Sequence, residues 1–423
     1  MCRINGGYVS SVIYDKLGIP TIILNSSGYI NNVFSDINYM GNNWVQGLNI
    51  TISNSIVNNI NNMLLMNGNQ FDPMDPLQGH MNAVIDSGGI VSNYKNWVGS
   101  TIISNGGIIY NASCYYAQSI TVLSNGSIGT IHLHNPEYDG SVSISSVGGS
   151  PTLTLSNGGR IDTVNIGYGG IVCRGYISTF NQSNGYIIIR SNGSIGTATV
   201  SPREFYLSNG GIIDNLTQTG GPVVIRSNGL VSNYTMSNGA LNVSSGATIN
   251  SLTISSGTVN ISSGLINNLN MKSSDTIIMS GGSISTCTMS TGKLSTFVGA
   301  SINSLMISSN TKGRGSCTLS NTSITELTLN VGGGTINNTT VDYLNAHRGY
   351  AILQNSNTII SSADINCSDF ILRNSAKVIS ATFGDNRQGS GNIAISNGGV
   401  ISNLTWSSVD PMLNAPDRNI NNI

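Results

Sequence analysis

The chain has 423 residues, of which 39% are hydrophobic and only 8% charged, and its formal net charge is −1. So little charge excludes a long-range field for nucleic acid or for an anionic membrane surface. No apolar run reaches the roughly 18 residues of a transmembrane helix, and disorder pairs low hydrophobicity with high charge, the opposite of this composition.

Residues 1–86 come first and are the least regular. Val9-Ser-Ser-Val-Ile-Tyr14, Ile30-Asn-Asn-Val33 and Val57-Asn-Asn-Ile60 share a spacing of apolar residues. The next position where a core residue is wanted holds Ser35 and Asn62, and Phe71-Asp-Pro-Met-Asp-Pro76 is rich in turn formers. This stretch is expected to be an irregular start or cap that blocks edge pairing.

From residue 87 to 406 the chain repeats itself. Val231-Ser-Asn-Tyr-Thr-Met236 returns as Ile249-Asn-Ser-Leu-Thr-Ile254, then as Ile266-Asn-Asn-Leu-Asn-Met271 and Ile284-Ser-Thr-Cys-Thr-Met289. A first apolar residue, the anchor, runs from Val91 and Ile109 to Val378 and Ile401, most of its steps being about 16 to 19 residues, a solenoid period. A second apolar column lies three residues on and a third lies two further, the alternation of a strand. Between motifs stands a shorter strand, such as Leu153-Thr-Leu155 or Leu241-Asn-Val243, fenced by Ser-Asn-Gly or Ser-Ser-Gly. Asn and Gly suit sharp corners because both tolerate positive φ.

This pattern predicts an all-β, single-stranded parallel β-helix (β-solenoid) with roughly 18 residues per turn. Two places break step. Ile128 to Ile161 is almost a double step, which predicts a protruding loop or a degenerate turn; Ile324 to Ile336 is too short, so one of those anchors is misplaced. Residues 407–423, with Pro411 and Pro416 and no strand pattern, are expected to be a cap or a flexible tail.

Chemistry is sparse. Six cysteines are scattered without a C-x-x-C pair, and Cys114 and Cys287 fall in apolar columns, as buried small hydrophobes. Asp162 and Asp214 share one motif position three turns apart, about 14 Å at the strand spacing, too far for a catalytic pair. Glu137 and Asp139 read as a solvated loop. His132-Leu-His134 puts two rings on one face, with Glu137 as the one nearby further ligand. Arg160, Arg174, Arg190, Arg203 and Arg226 concentrate in one stretch, and Arg190 and Arg226 each precede a Ser-Asn-Gly corner. Ordinary solvation accounts for them, so no catalytic, cofactor or metal residue is assigned and no cofactor is expected.

The corners Ser280-Gly-Gly-Ser-Ile-Ser-Thr-Cys-Thr-Met289 and Ser396-Asn-Gly-Gly-Val-Ile-Ser-Asn-Leu-Thr405 resemble the passenger repeats of autotransporter adhesins, of the type of the adhesin involved in diffuse adherence. The resemblance covers about 87 to 406. It implies a right-handed β-helix displayed at the cell surface or secreted, acting in adhesion, aggregation or biofilm formation. Met1-Cys-Arg-Ile-Asn-Gly-Gly7 itself lacks the basic and apolar regions of a secretory signal. The expected function is a non-enzymatic rod-like adhesin or matrix element. Its partners would be a host or neighbouring cell surface, glycans included, and a second copy; nucleic acid and membrane insertion are not expected. The alternatives are a carbohydrate-active β-helix, such as a polysaccharide lyase, a hydrolase or a tailspike-like protein, and a self-stacking filament subunit.

Overall fold

The computed structural model describes residues 1–14, 21–36, 48–63, 81–96, 99–115, 118–134, 150–201, 203–244, 246–272, 276–308, 315–347, 349–366, 369–384, 392–407 and 420–422. The described residues form strands joined by short corners, with no helix among them. Every strand pairing given for them is parallel, and each strand pairs with its counterpart one turn away, so the chain is a β-solenoid. It divides into two compact units, Met1–Leu216 and Thr217–Ile423.

Each turn carries a short strand and a long one. In the first unit, Gly99–Ile103 is followed by Ile108–Cys114, and Gln118–Val122 by Ser127–Leu133. The short strand buries alternate residues, as Ile120 and Val122 do. The long strand buries the anchor and the residues three and five beyond it, as Ile128, Ile131 and Leu133 do. Two successive side chains therefore face outward after each anchor. The ladder skips the first of them, passing from Ile128–Ile161 to Thr130–Thr163 and from Ile249–Ile266 to Ser251–Asn268. That slip, of the kind a bulge makes, lets a three-residue spacing keep both apolar columns inside.

Both breaks in the repeat resolve. Ile128 pairs directly with Ile161, so the double step is a single turn; the inserted residues 135–149 lie outside the described residues. In the second unit Ile336 is not an anchor. It belongs to the short strand Gly333–Asn337 and pairs with Leu319 and Leu353, while Val341 pairs with Ile324 and Ile360 in the anchor column. An isolated apolar residue on a short strand looks like an anchor when only local spacing is read.

The irregular start pairs in register too. Val9, Ile30, Val57 and Val91 succeed one another in the anchor ladder of the first unit. Asn96 stands in the same ladder as Asn62 and shows how the third column takes an amide. It is fully buried, and its Nδ2 donates to Gln118 Oε1 at 2.6 Å and to the Tyr94 hydroxyl at 3.1 Å. Gln118 Nε2 donates onward to Thr101 Oγ1 at 2.9 Å, and Tyr94 and Thr101 share a hydrogen bond. A buried amide is tolerated because it is paired.

Small residues line the corner before each anchor. A Cβ at Gly107 would lie 2.2 Å from the Ile85 carbonyl oxygen of the preceding turn, and one at Gly193 would lie 2.5 Å from that of Cys173. The second unit carries Ala247, Ala300 and Ala376 at this position, and also Thr322, Thr339 and Thr358, whose hydroxyls donate to carbonyls just before them, as Thr322 Oγ1 does to Ser320 O at 3.0 Å. Two glycines serve a different purpose. The ring of Tyr186 covers Gly170 on the preceding turn, and Tyr350 covers Gly333, filling the surface a missing side chain leaves open.

Candidate functional site

In the first unit the outward residues of successive long strands build an asparagine-walled trough. Identical side chains on parallel turns stand about 4.8 Å apart, so each amide can donate to the next. Asn59 Nδ2 donates to Asn32 Oδ1 at 2.9 Å, Asn93 to Asn59 at 2.9 Å, and Asn111 to Asn93 at 3.2 Å. Each bond uses one N–H and one lone pair, which leaves further hydrogen-bonding capacity on every rung. Asn61, Lys95 and Ser113, two residues along each strand, form the opposite wall over Ile60 and Tyr94. The trough encloses about 390 Å³ and runs along the stacking direction.

Beyond Lys95 the wall continues as stacked rings. Lys95 Nζ lies 5.4 Å from the centroid of Tyr115, and Tyr115 stacks on His134 at 4.4 Å. His132 and His134 are 5.7 Å apart and nearly parallel, on one face as the H-x-H spacing predicts, with Leu133 buried between them. Asn165 Nδ2 approaches His132 Nδ1 at 3.5 Å, while Asn165 Oδ1 accepts from Asn181 at 2.9 Å. Lys95 and His134 occupy the two faces of Tyr115, so this stack orders the wall rather than presenting an open ring to a sugar.

Glu137 and Asp139 lie outside the described residues. No group of three or more His, Cys, Asp or Glu able to hold a metal occurs among the described residues. Asp162 and Asp214 remain separated by the intervening strands of their ladder, and Asp162 is taken up by Arg160, Nε to Oδ1, at 3.1 Å. The Arg160 guanidinium also lies 5.1 Å from the Tyr176 ring. Arg174 and Arg190 directly follow Cys173 and Ile189, which pair, so these two arginines occupy successive turns of one corner. Arg190 and Arg226, matched by their neighbours in sequence, fall in different units. Arg203 is exposed.

Cys114, Cys173, Cys287 and Cys317 are buried free thiols, Cys2 is exposed, and Cys367 lies outside the described residues. Burial pushes the thiols of Cys173, Cys287 and Cys317 up to about 12, and that of Cys114 further in the same direction. Such groups are small core hydrophobes, not nucleophiles.

The amide trough is the feature that sequence reasoning missed. Its signal was present in the outward Asn32, Asn59, Asn93 and Asn111 at one motif position, but those residues read as solvated surface until the register stacked them. No protein-family model, curated protein or solved structure matches this chain.

Proposed function

We propose that the chain is a non-enzymatic β-solenoid, displayed at a cell surface or secreted, of the autotransporter-adhesin type, and that its asparagine trough contacts glycans of a host or neighbouring cell. The observation that carries this reading is the trough itself. It offers a row of amide donors and acceptors at a regular spacing, matched to the hydroxyls of an extended saccharide, with Lys95 beside it for a carboxylated or sulfated sugar. A polymer lying along the stack would meet one rung after another, and several weak contacts would add by avidity.

The test is a glycan array and a whole-cell binding assay with the purified chain, repeated with Asn93→Ala and Lys95→Ala, with every bound glycan checked for cleavage. Binding without cleavage, weakened by both substitutions, supports the reading. Binding that ignores both substitutions removes the trough from it. Cleavage of a bound polysaccharide would replace the adhesin by the carbohydrate-active alternative.

A further inference from the structure

The tripeptide Ser-Asn-Gly occurs nine times, and the five copies not followed by a second glycine stand in two different environments. Asn125, Asn192 and Asn228 sit on the corner that follows a short strand. All three have left-handed backbone, with φ of 58°, 65° and 62°. The amide of the next glycine donates back to a backbone carbonyl: Gly126 to Leu123 at 3.0 Å, Gly193 to Arg190 at 2.8 Å, and Gly229 to Arg226 at 3.1 Å. Asn184 and Asn238 sit instead on the corner that follows a long strand, after Tyr176–Gln182 in the first unit and Leu230–Met236 in the second. Here the glycine amide turns toward the asparagine side chain. Gly185 N donates to Asn184 Oδ1 at 2.8 Å, and Gly239 N donates to Asn238 Oδ1 at 2.8 Å. Both asparagines are exposed.

We infer that Asn184 and Asn238 are sites of spontaneous deamidation through a cyclic imide, and that Asn125, Asn192 and Asn228 are protected from it. The reaction needs the backbone nitrogen of the following residue to reach the side-chain carbonyl carbon. At Asn184 and Asn238 the nitrogen is already held against that carboxamide, and glycine places no side chain in the way; holding reactants close removes much of the entropic part of a barrier. At the other three corners the same nitrogen is tied to a carbonyl elsewhere, and freeing it would break the turn.

The chemistry requires only water. The glycine nitrogen loses its proton and forms a bond to Cγ of the asparagine. The Cγ–Nδ2 bond breaks, and ammonia leaves with a proton. Water then opens the imide at either carbonyl, giving aspartate or isoaspartate. Each event adds one negative charge to a chain whose formal net charge is −1. Isoaspartate also lengthens the backbone at a corner held by Ser183 N to Ile166 O at 3.0 Å and Tyr186 N to Gly169 O at 3.0 Å.

The experiment is to age the full-length folded chain in warm, mildly alkaline buffer and to follow these five corners by peptide mapping and isoaspartyl methyltransferase labelling. A parallel sample is unfolded in urea. In the folded chain, aspartate and isoaspartate are expected to accumulate at positions 184 and 238 several-fold faster than at 125, 192 and 228. In urea the five rates should converge, because the tripeptide is the same. Equal rates in the folded chain would overturn the inference. So would faster reaction at the three protected corners, or silence at 184 and 238 while the unfolded chain reacts.

Discussion

Gly107 shows how little room a corner leaves. Its backbone needs no unusual dihedral; what excludes a side chain is the Ile85 carbonyl at 2.2 Å from where Cβ would be. Gly107→Ala is therefore expected to destabilise the chain by about 1–3 kcal/mol, the usual range for overpacking, as read from urea unfolding. Ala247, at the equivalent position of the second unit, already carries the methyl and is fully buried, so Ala247→Gly should cost less, about 0.5–1 kcal/mol of backbone entropy. If both substitutions cost the same, the steric account of the corner is wrong. The corner glycines were legible as turn residues; which of them avoid a clash, and that the strand glycines Gly170 and Gly333 lie under tyrosine rings, was not.

A strand here is stable only with its neighbours, because five inward side chains, such as Leu241, Val243, Ile249, Leu252 and Ile254, cannot offset the ordering of a whole turn alone. Leu252 pairs with Tyr234 and Leu269 on either side and is completely buried. Leu252→Asp places an unpaired carboxylate between them and should cost several kcal/mol. Thermal denaturation reads the loss, and hydrogen exchange should show lost protection on the strands Leu230–Met236 and Leu265–Met271 as well as on the mutated one. Damage confined to the mutated strand would argue against coupling between turns. The asparagine ladder works at the same scale with smaller stakes. Asn93→Ala removes bonds to both Asn59 and Asn111, but those amides are open to water, so stability should fall by no more than about 1.5 kcal/mol. Loss of glycan binding by that variant therefore reports on the trough rather than on unfolding. The motif positions that hold these asparagines could be read off the chain, whereas their hydrogen bonds depend on register.

For the chain as a whole, the buried acids make alkaline pH the vulnerable side. The thiols of Cys173, Cys287 and Cys317 rise from 9.0 to about 12 because burial penalises the thiolate, and the Tyr94 and Tyr234 phenols move the same way for the same reason. The folded state thus holds these protons more tightly than the unfolded state. Their contribution is fully present below pH 9 and is lost as pH climbs from 9 towards 12. Melting temperature should fall through that window, and less steeply for Cys287→Val than for the parent chain; identical slopes would mean that this thiol does not ionise on unfolding. Peptide-resolved alkylation at neutral pH should label Cys2 in the native chain and reach Cys114, Cys173, Cys287 and Cys317 only after unfolding.

The order of residues along the chain suffices for the turn: its approximate length, its two strands, its three apolar columns and the glycine and asparagine corners between them. These are local, because side-chain direction along a strand and the φ preferences of Gly and Asn act over a few residues. What each residue meets one turn away depends on the stacking of the folded chain. Turn length varies, and an insertion such as 135–149 or a short strand such as Gly333–Asn337 shifts the count without shifting the ladder. Hence Ile336 left the anchor column, Arg174 came to stand one turn from Arg190, and Asn96 found Gln118. The same physics separates Asn184 from Asn192: one tripeptide, two corners, and a glycine amide whose partner is set by the strand that precedes it.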